Sequence, residues 1–131
     1  MNLIVDTNIL LAVALDEPEK NTIIDLGLGY NAISPEILPY EIGNALAAMV
    51  KRRRLSENEA IIALGITQDI PVRLIECDIR KALDIAMHFN LYAYDAYFLQ
   101  CARAMGSPLI TLDKKMHSIA RALEITVLDP S

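Results

Sequence analysis

The sequence predicts an α/β domain whose sheet is mostly parallel and covered on both sides. Three observations carry that expectation. Short apolar runs alternate with stretches of helical periodicity along the chain. The runs are apolar at nearly every position rather than at alternate ones, as strands buried on both faces require. No Gly- or Pro-rich linker, internal repeat or low-complexity stretch interrupts the alternation. At 131 residues, 53% of them hydrophobic, the chain is expected to fold as one domain spanning residues 1–131.

The elements follow in order. Leu3-Ile4-Val5 is a β-prone run that stops at Asp6-Thr7-Asn8, after which the pattern turns helical. Gly27-Leu28-Gly29 precedes a strand instead of leading from one into a helix, so it reads as a helix end and not a phosphate loop. Ala32-Ile33-Ser34 is the second strand. After Pro35, the residues Leu38, Ile42, Ala45 and Met49 fall on one helical face. Val72-Arg73-Leu74-Ile75 is the third strand, and Ile79, Ala82, Leu83 and Ala86 mark the next helical face. Phe98, Cys101, Ala102 and Met105 mark another, and Pro108 to Leu112 and Ile125 to Leu128 supply the last two strands.

Composition excludes several classes. Twelve Lys and Arg against seventeen Asp and Glu leave a net charge of −5, so the chain does not hold nucleic acid by being globally basic. The longest apolar run, Ile9 to Leu15, falls far short of the ~20 residues that span a bilayer. Met1 to Asp6 carries no basic leader, and a cytoplasmic protein is expected. Cys77 and Cys101 form no CxxC pair and read as free thiols.

Four carboxylates stand where packing would favour something neutral. Asp6 and Asp113 lie beyond the carboxyl ends of predicted parallel strands, the edge at which open α/β sheets bind ligands. Either one alone is more simply a cap of the following helix. Glu41 shares a helical face with Leu38 and Ala45, and an unpaired carboxylate turned inward needs a cation, a hydrogen-bond partner or a raised pKa. Asn44 is placed one turn on to orient it. Asp95 starts the stripe that continues through Phe98 and Ala102, with helix capping as its structural alternative. Four carboxylates meeting at one point repel unless cations neutralise them. Oxygen ligands without Cys or His suit Mg²⁺ or Mn²⁺ better than Zn²⁺, and a phosphodiester is the natural substrate of such a site.

The segments Val5-Asp6-Thr7-Asn8-Ile9-Leu10, Pro39-Tyr40-Glu41-Ile42-Gly43-Asn44-Ala45-Leu46, Tyr94-Asp95-Ala96-Tyr97 and Leu109-Ile110-Thr111-Leu112-Asp113 together resemble the successive motifs of PIN-domain ribonucleases. The resemblance covers essentially the whole chain and is closest to the small toxins of VapBC toxin–antitoxin pairs. It implies a three-layer α/β/α fold with a parallel sheet and a metal-dependent endoribonuclease. In it Asp6, Glu41, Asp95 and Asp113 would form the catalytic, metal-holding cluster, with Mg²⁺ or Mn²⁺ as cofactor. Thr7, Asn8 and Thr111 take flanking motif positions that support the site. Met116 departs from the bulkier or aromatic residue of many relatives. The resemblance further implies an RNA substrate, a 5′-phosphate product, a cognate antitoxin and a homodimer.

An acidic protein must grip RNA locally. Lys51 to Arg54 is the one dense basic run, of which Arg52 and Arg53 are candidates for phosphate contact. Lys114 and Lys115, beside Asp113, are the better ones; a helix C-terminus decorated with dipole-matching cations is the structural alternative to phosphate contact. His88 and His117 are the only histidines, and both are expected to be structural or superficial rather than catalytic. Four alternatives remain at this point. The chain is a PIN nuclease that processes RNA without being a toxin, a haloacid dehalogenase-like phosphatase using Asp6, a receiver domain, or a non-catalytic interaction domain. The second lacks its general acid, because Asn8 stands where an Asp is needed. The third lacks an Asp at the end of the third strand. Setting the four proposed ligands apart leaves thirteen acids against twelve bases, so the acidity is concentrated rather than general.

Overall fold

The computed structural model describes residues 1–131. In chain order the elements are β1 (Asn2–Val5), α1 (Thr7–Ala14), α2 (Lys20–Gly27), β2 (Asn31–Pro35), α3 (Leu38–Lys51), α4 (Glu57–Asp69), β3 (Arg73–Ile75), α5 (Ile79–Phe89), α6 (Ala93–Met105), β4 (Leu109–Ile110), α7 (Lys114–Ala122) and β5 (Val127–Leu128). The five strands form one sheet in the order β3-β2-β1-β4-β5, with every pairing parallel. The α/β class with helices on both faces of a parallel sheet is therefore the fold, a three-layer α/β/α arrangement.

Chain direction explains the layering. From β1 the strands step outward through β2 to β3, and the chain then returns to the other side of β1 for β4 and β5. Right-handed crossovers put the helices of the two halves on opposite faces of the sheet. Accordingly α1, α3 and α4 pack on one another, while α6 packs against α5 and across β1, β2 and β4. The reversal occurs between β1 and β4, where Ile4 pairs with Leu109 and Val5 with Ile110. Just past their carboxyl ends the two loops diverge to opposite faces, which opens the crevice that ligands use in such sheets.

Ile4, Ile33 and Leu109 meet in register across the three central strands and are almost wholly buried. Truncating one of them to Ala would cost about 2–5 kcal/mol. Helix boundaries follow local chemistry. Ser56 and Glu59 form a reciprocal capping box that starts α4. Gly29, with φ 82, takes the left-handed turn after α2 that the Gly27-Leu28-Gly29 reading anticipates.

Two expectations need correction. The strand β3 is not buried on both faces, because no helix packs extensively across it; Arg73 and Leu74 face solvent. On α5, Ile79 and Leu83 point outward, and the buried side is Ala82, Ile85 and Ala86. Small alanines let α5 lie close against α6, so tight packing and not the broadest apolar stripe selects the inner face. Cys77 and Cys101 are free thiols. No helix is long and apolar enough to cross a membrane.

Candidate functional site

Asp6 is the first residue after β1 and the N-cap of α1. Its Oδ1 accepts the Ile9 amide at 3.1 Å, so the capping explanation is correct as far as it goes. Its Oδ2, however, accepts the hydroxyl of Thr111, which arrives with the loop after β4. Both residues are buried, Asp6 being 7% exposed and Thr111 fully enclosed. Burial pushes the Asp6 carboxyl up to about 6 against the opposing pull of the Thr111 hydroxyl and the Ile9 amide, and the charges of Asp113 and Asp95 add to the rise.

Thr111 also accepts the Asp113 amide at 3.1 Å on the same hydroxyl oxygen. One side chain thus links the acids at the ends of two strands. Asp113 in turn caps α7, its Oδ1 accepting the amides of Lys115 at 2.9 Å and Met116 at 3.4 Å. Its other carboxylate oxygen makes no hydrogen bond within the protein. Here too the helix cap and the site acid are the same residue.

Glu41 sits in the first turn of α3 and accepts the Thr7 hydroxyl on Oε1 at 3.1 Å. Burial raises its pKa, the Thr7 bond opposes the rise and Asp95 adds to it. Asp95 occupies the first turn of α6, whose N-cap is Tyr92 with no side-chain capping bond, so capping does not explain Asp95. Burial raises its pKa, as does the charge of Asp113, while the Lys115 cation lowers it.

These residues share one cleft of about 170 Å³, lined by Asp6, Thr7, Asn8, Glu41, Asn44, Asp95 and Asp113 and floored by Ala45, Phe98 and Met116. Met116, the departure noted in the sequence, is buried there. Four helices, α1, α3, α6 and α7, begin at the cleft, and the positive ends of their dipoles favour carboxylates. None of the four acids takes part in an ion pair; those of the chain are Lys20–Asp16, Lys114–Asp129 and His117–Asp129. No three carboxylates close on a common point as a ready-made ligand set. An all-oxygen cleft of this open kind fits a hard ion such as Mg²⁺, which keeps several waters and uses one or two carboxylates, and fits poorly a thiolate- or imidazole-bound metal.

The basic candidates separate. Lys115, exposed and outside the lining of the cleft, lowers the pKa of the Asp95 carboxyl by its charge. Lys114 does not: its Nζ lies 2.9 Å from Ser131 Oγ and 3.4 Å from Asp129 Oδ2. Arg52 and Arg53 follow the far end of α3; with ~1.5 Å of rise per residue, they stand roughly 16 Å along the axis from Glu41. Neither borders the cleft. Helix direction carries the two arginines away from the acids, and Asp129 with Ser131 holds Lys114. His117, expected to be structural or superficial, is buried with its Nε2 2.7 Å from the Thr111 carbonyl oxygen.

A family model described as the PIN domain matches residues 3–122. No sequence among the curated proteins matches significantly. Among solved structures, PAE2754 of Pyrobaculum aerophilum superposes with a TM-score of 0.73 at 21% identity, over 97% of this chain and 83% of that one. A toxin-antitoxin complex from Klebsiella pneumoniae gives 0.64 at 20% identity, covering 99% of this chain and 98% of that one. VapBC2 of Rickettsia felis, solved with a DNA fragment from its promoter, gives 0.67 at 14% identity, with 98% of each chain covered. At such identities these three are likenesses of fold.

Proposed function

The chain belongs to the PIN-domain family, whose members are generally nucleases, and from that premise we propose that it is a metal-dependent endoribonuclease acting as the toxin of a toxin–antitoxin pair. The observation that carries this reading is the cleft itself. Asp6, Glu41, Asp95 and Asp113 come from four separate segments to one small concavity with no side-chain cation paired to them. Two of the four are also raised by repulsion from a third, which is the electrostatic condition that a divalent cation relieves.

Asp6, Glu41, Asp95 and Asp113 would hold Mg²⁺ or Mn²⁺. When bound, such an ion activates water for attack and offsets the charge that gathers on the phosphate in the transition state. The residues of the chain supply placement. The Thr111 hydroxyl and the Ile9 amide hold both oxygens of Asp6, so its plane is set before any ligand arrives. The Thr7 hydroxyl aims Glu41, and the α7 amides fix one oxygen of Asp113 while leaving the other free. Asn8 and Asn44 are exposed at the rim, where their amides suit an RNA backbone or its waters. Lys115 gives the phosphate a local cation beside Asp95. No side-chain nucleophile is required, and the products are a 5′-phosphate and a 3′-hydroxyl.

The toxin role is supported by the fold shared with toxin–antitoxin complexes. It implies a cognate antitoxin, and an apolar groove between α3 and α4 suits one. That groove has a volume of about 620 Å³ and is lined by Leu46, Ala47, Val50, Ala60, Ile61 and Leu64. Ile61 is 68% exposed within it. A homodimer working in the cytoplasm completes the reading.

The test is cleavage of single-stranded RNA by the purified protein with Mg²⁺, Mn²⁺ or chelator, with end-group analysis of the products. Metal-dependent cleavage leaving a 5′-phosphate, lost in folded Asp6→Asn and Asp95→Asn variants, supports the proposal. Chelator-resistant cleavage or a 2′,3′-cyclic phosphate product overturns it.

A further inference from the structure

The loop between β4 and α7 carries both Thr111 and Asp113, and its conformation decides where they point. Within it the Thr111 carbonyl is in an awkward position. Thr111 lies past the end of β4 and two residues before the N-cap of α7, so neither the strand ladder nor the helix supplies its oxygen with a donor. The residue is also fully buried, which denies it water. The donor comes from His117, one turn into α7, whose Nε2 stands 2.7 Å from that oxygen. A carbonyl oxygen only accepts, so this contact assigns the ring proton to Nε2.

The other ring nitrogen makes no hydrogen bond within the protein. His117 Nδ1 lies 3.7 Å from Asp129 Oδ2, and the same carboxylate oxygen is 3.4 Å from Lys114 Nζ. Asp129 is itself held, its Oδ1 accepting the Ser131 amide at 2.9 Å and the Ser131 hydroxyl at 2.5 Å. The path that reaches the cleft therefore starts at the imidazole, which is hydrogen-bonded to the Thr111 carbonyl. From the Thr111 hydroxyl it reaches Asp6 and the Asp113 amide. No charged group of the cleft lies on this path before Thr111.

We infer that His117 is a positioning residue of the acidic cleft: by donating Nε2–H to the Thr111 carbonyl it fixes the peptide that aims the Thr111 hydroxyl at Asp6. This rests on the metal-dependent reading given above. It acts through Thr111 and touches neither substrate nor metal. The donor is what matters, so a side chain that fills the space without donating should fail where one that donates succeeds.

Two variants separate those cases, His117→Leu and His117→Gln, the latter presenting an amide N–H near the position of Nε2. In the metal-free protein, His117→Leu should speed hydrogen exchange at the Asp113 amide about tenfold or more, since that amide bonds to the Thr111 hydroxyl, and His117→Gln should restore most of the protection. Calorimetric titration with Mn²⁺ should show a loss of roughly 10–100-fold in affinity for His117→Leu, the range usual for partners behind a metal ligand, and little loss for His117→Gln. RNA cleavage should fall in kcat with KM nearly unchanged. If the two variants behave alike in exchange at Asp113, whether both match the wild type or both differ from it, the inference is overturned. Absence of Mn²⁺ binding by the wild type overturns the metal-dependent reading instead, and the exchange comparison still decides the role of His117. Should His117→Leu not fold, His117→Met takes its place as the side chain that fills the space without donating: faster exchange at Asp113 than in His117→Gln supports the inference, and equal exchange in the two removes it.

Discussion

Thr111 donates its hydroxyl to Asp6 across 105 positions of sequence, and both side chains are shut off from solvent. This bond joins the carboxyl ends of the two strands between which the chain reverses direction across the sheet. It turns two ordinary loop ends into one site. A buried carboxylate without such a donor would be costlier still, so the bond both tolerates the acid and orients it.

Thr111→Val keeps the shape of the side chain and removes that donor, together with the acceptor of the Asp113 amide. A buried carboxylate and an amide each lose a partner, at a cost of about 1–3 kcal/mol. Chemical denaturation should show that loss, and Mn²⁺ affinity should fall by roughly 10–100-fold. An unchanged midpoint and unchanged affinity would mean that the bond positions nothing.

Asp6 makes the metal-free protein sensitive to pH. Its folded carboxyl is raised from 3.8 to about 6. Between those values the unfolded chain has released a proton that the folded chain still holds, so stability falls as pH rises through that window and levels off above it. Asp6→Asn removes the penalty. At pH 7.5 the variant should be more stable than the wild type by up to about 3 kcal/mol, from ~1.36 kcal/mol per pH unit, and the gain should vanish near pH 3. Thermal unfolding across pH 3–8 measures it; a variant less stable at pH 7.5 than at pH 3, relative to wild type, contradicts the sign.

Metal should close most of that gap. Mn²⁺ at a hundred times its dissociation constant stabilises a folded protein that binds it by ~2.7 kcal/mol. The wild type should gain this in thermal unfolding and lose it on chelation, while Asp6→Asn gains little. Equal shifts in both proteins would place the ion elsewhere.

The two neighbouring lysines should not be equivalent. The charge of Lys115 lowers the pKa of Asp95, whereas Lys114 is held by Asp129 and Ser131. Lys115→Glu should weaken RNA binding and lower the salt slope by about 1, as loss of one phosphate contact does. Lys114→Glu should change RNA binding much less. Filter binding over a salt series distinguishes them, and a larger effect for Lys114→Glu would reject the assignment.

Much of this was legible beforehand for identifiable reasons. The parallel α/β class followed from apolar runs alternating with helical periodicity, and the four acids were visible because each interrupts such a pattern. What escaped the sequence depends on direction and neighbours. Periodicity shows that α5 is amphipathic, but close approach to α6 made Ala82 and Ala86 its inner face and left Ile79 and Leu83 outside. Adjacency joined Lys114 to Lys115 on paper, while successive helix positions differ by about 100° and point apart. His117 gave no signal at all, because its partner is a backbone carbonyl, which every residue carries.

Local chemistry alone determined the strand-forming runs, the caps at Asp6, Ser56 and Asp113, and the presence of carboxylates at the ends of β1 and β4. Only the tertiary structure decided that Asp6 and Asp113 are also linked through Thr111, that Glu41 and Asp95 face them across one cleft, and that His117 stands behind the loop. The physical reason is range. Capping and periodicity act over a few residues, whereas the site exists because the sheet changes direction between β1 and β4 and brings residues a hundred positions apart into hydrogen-bond contact.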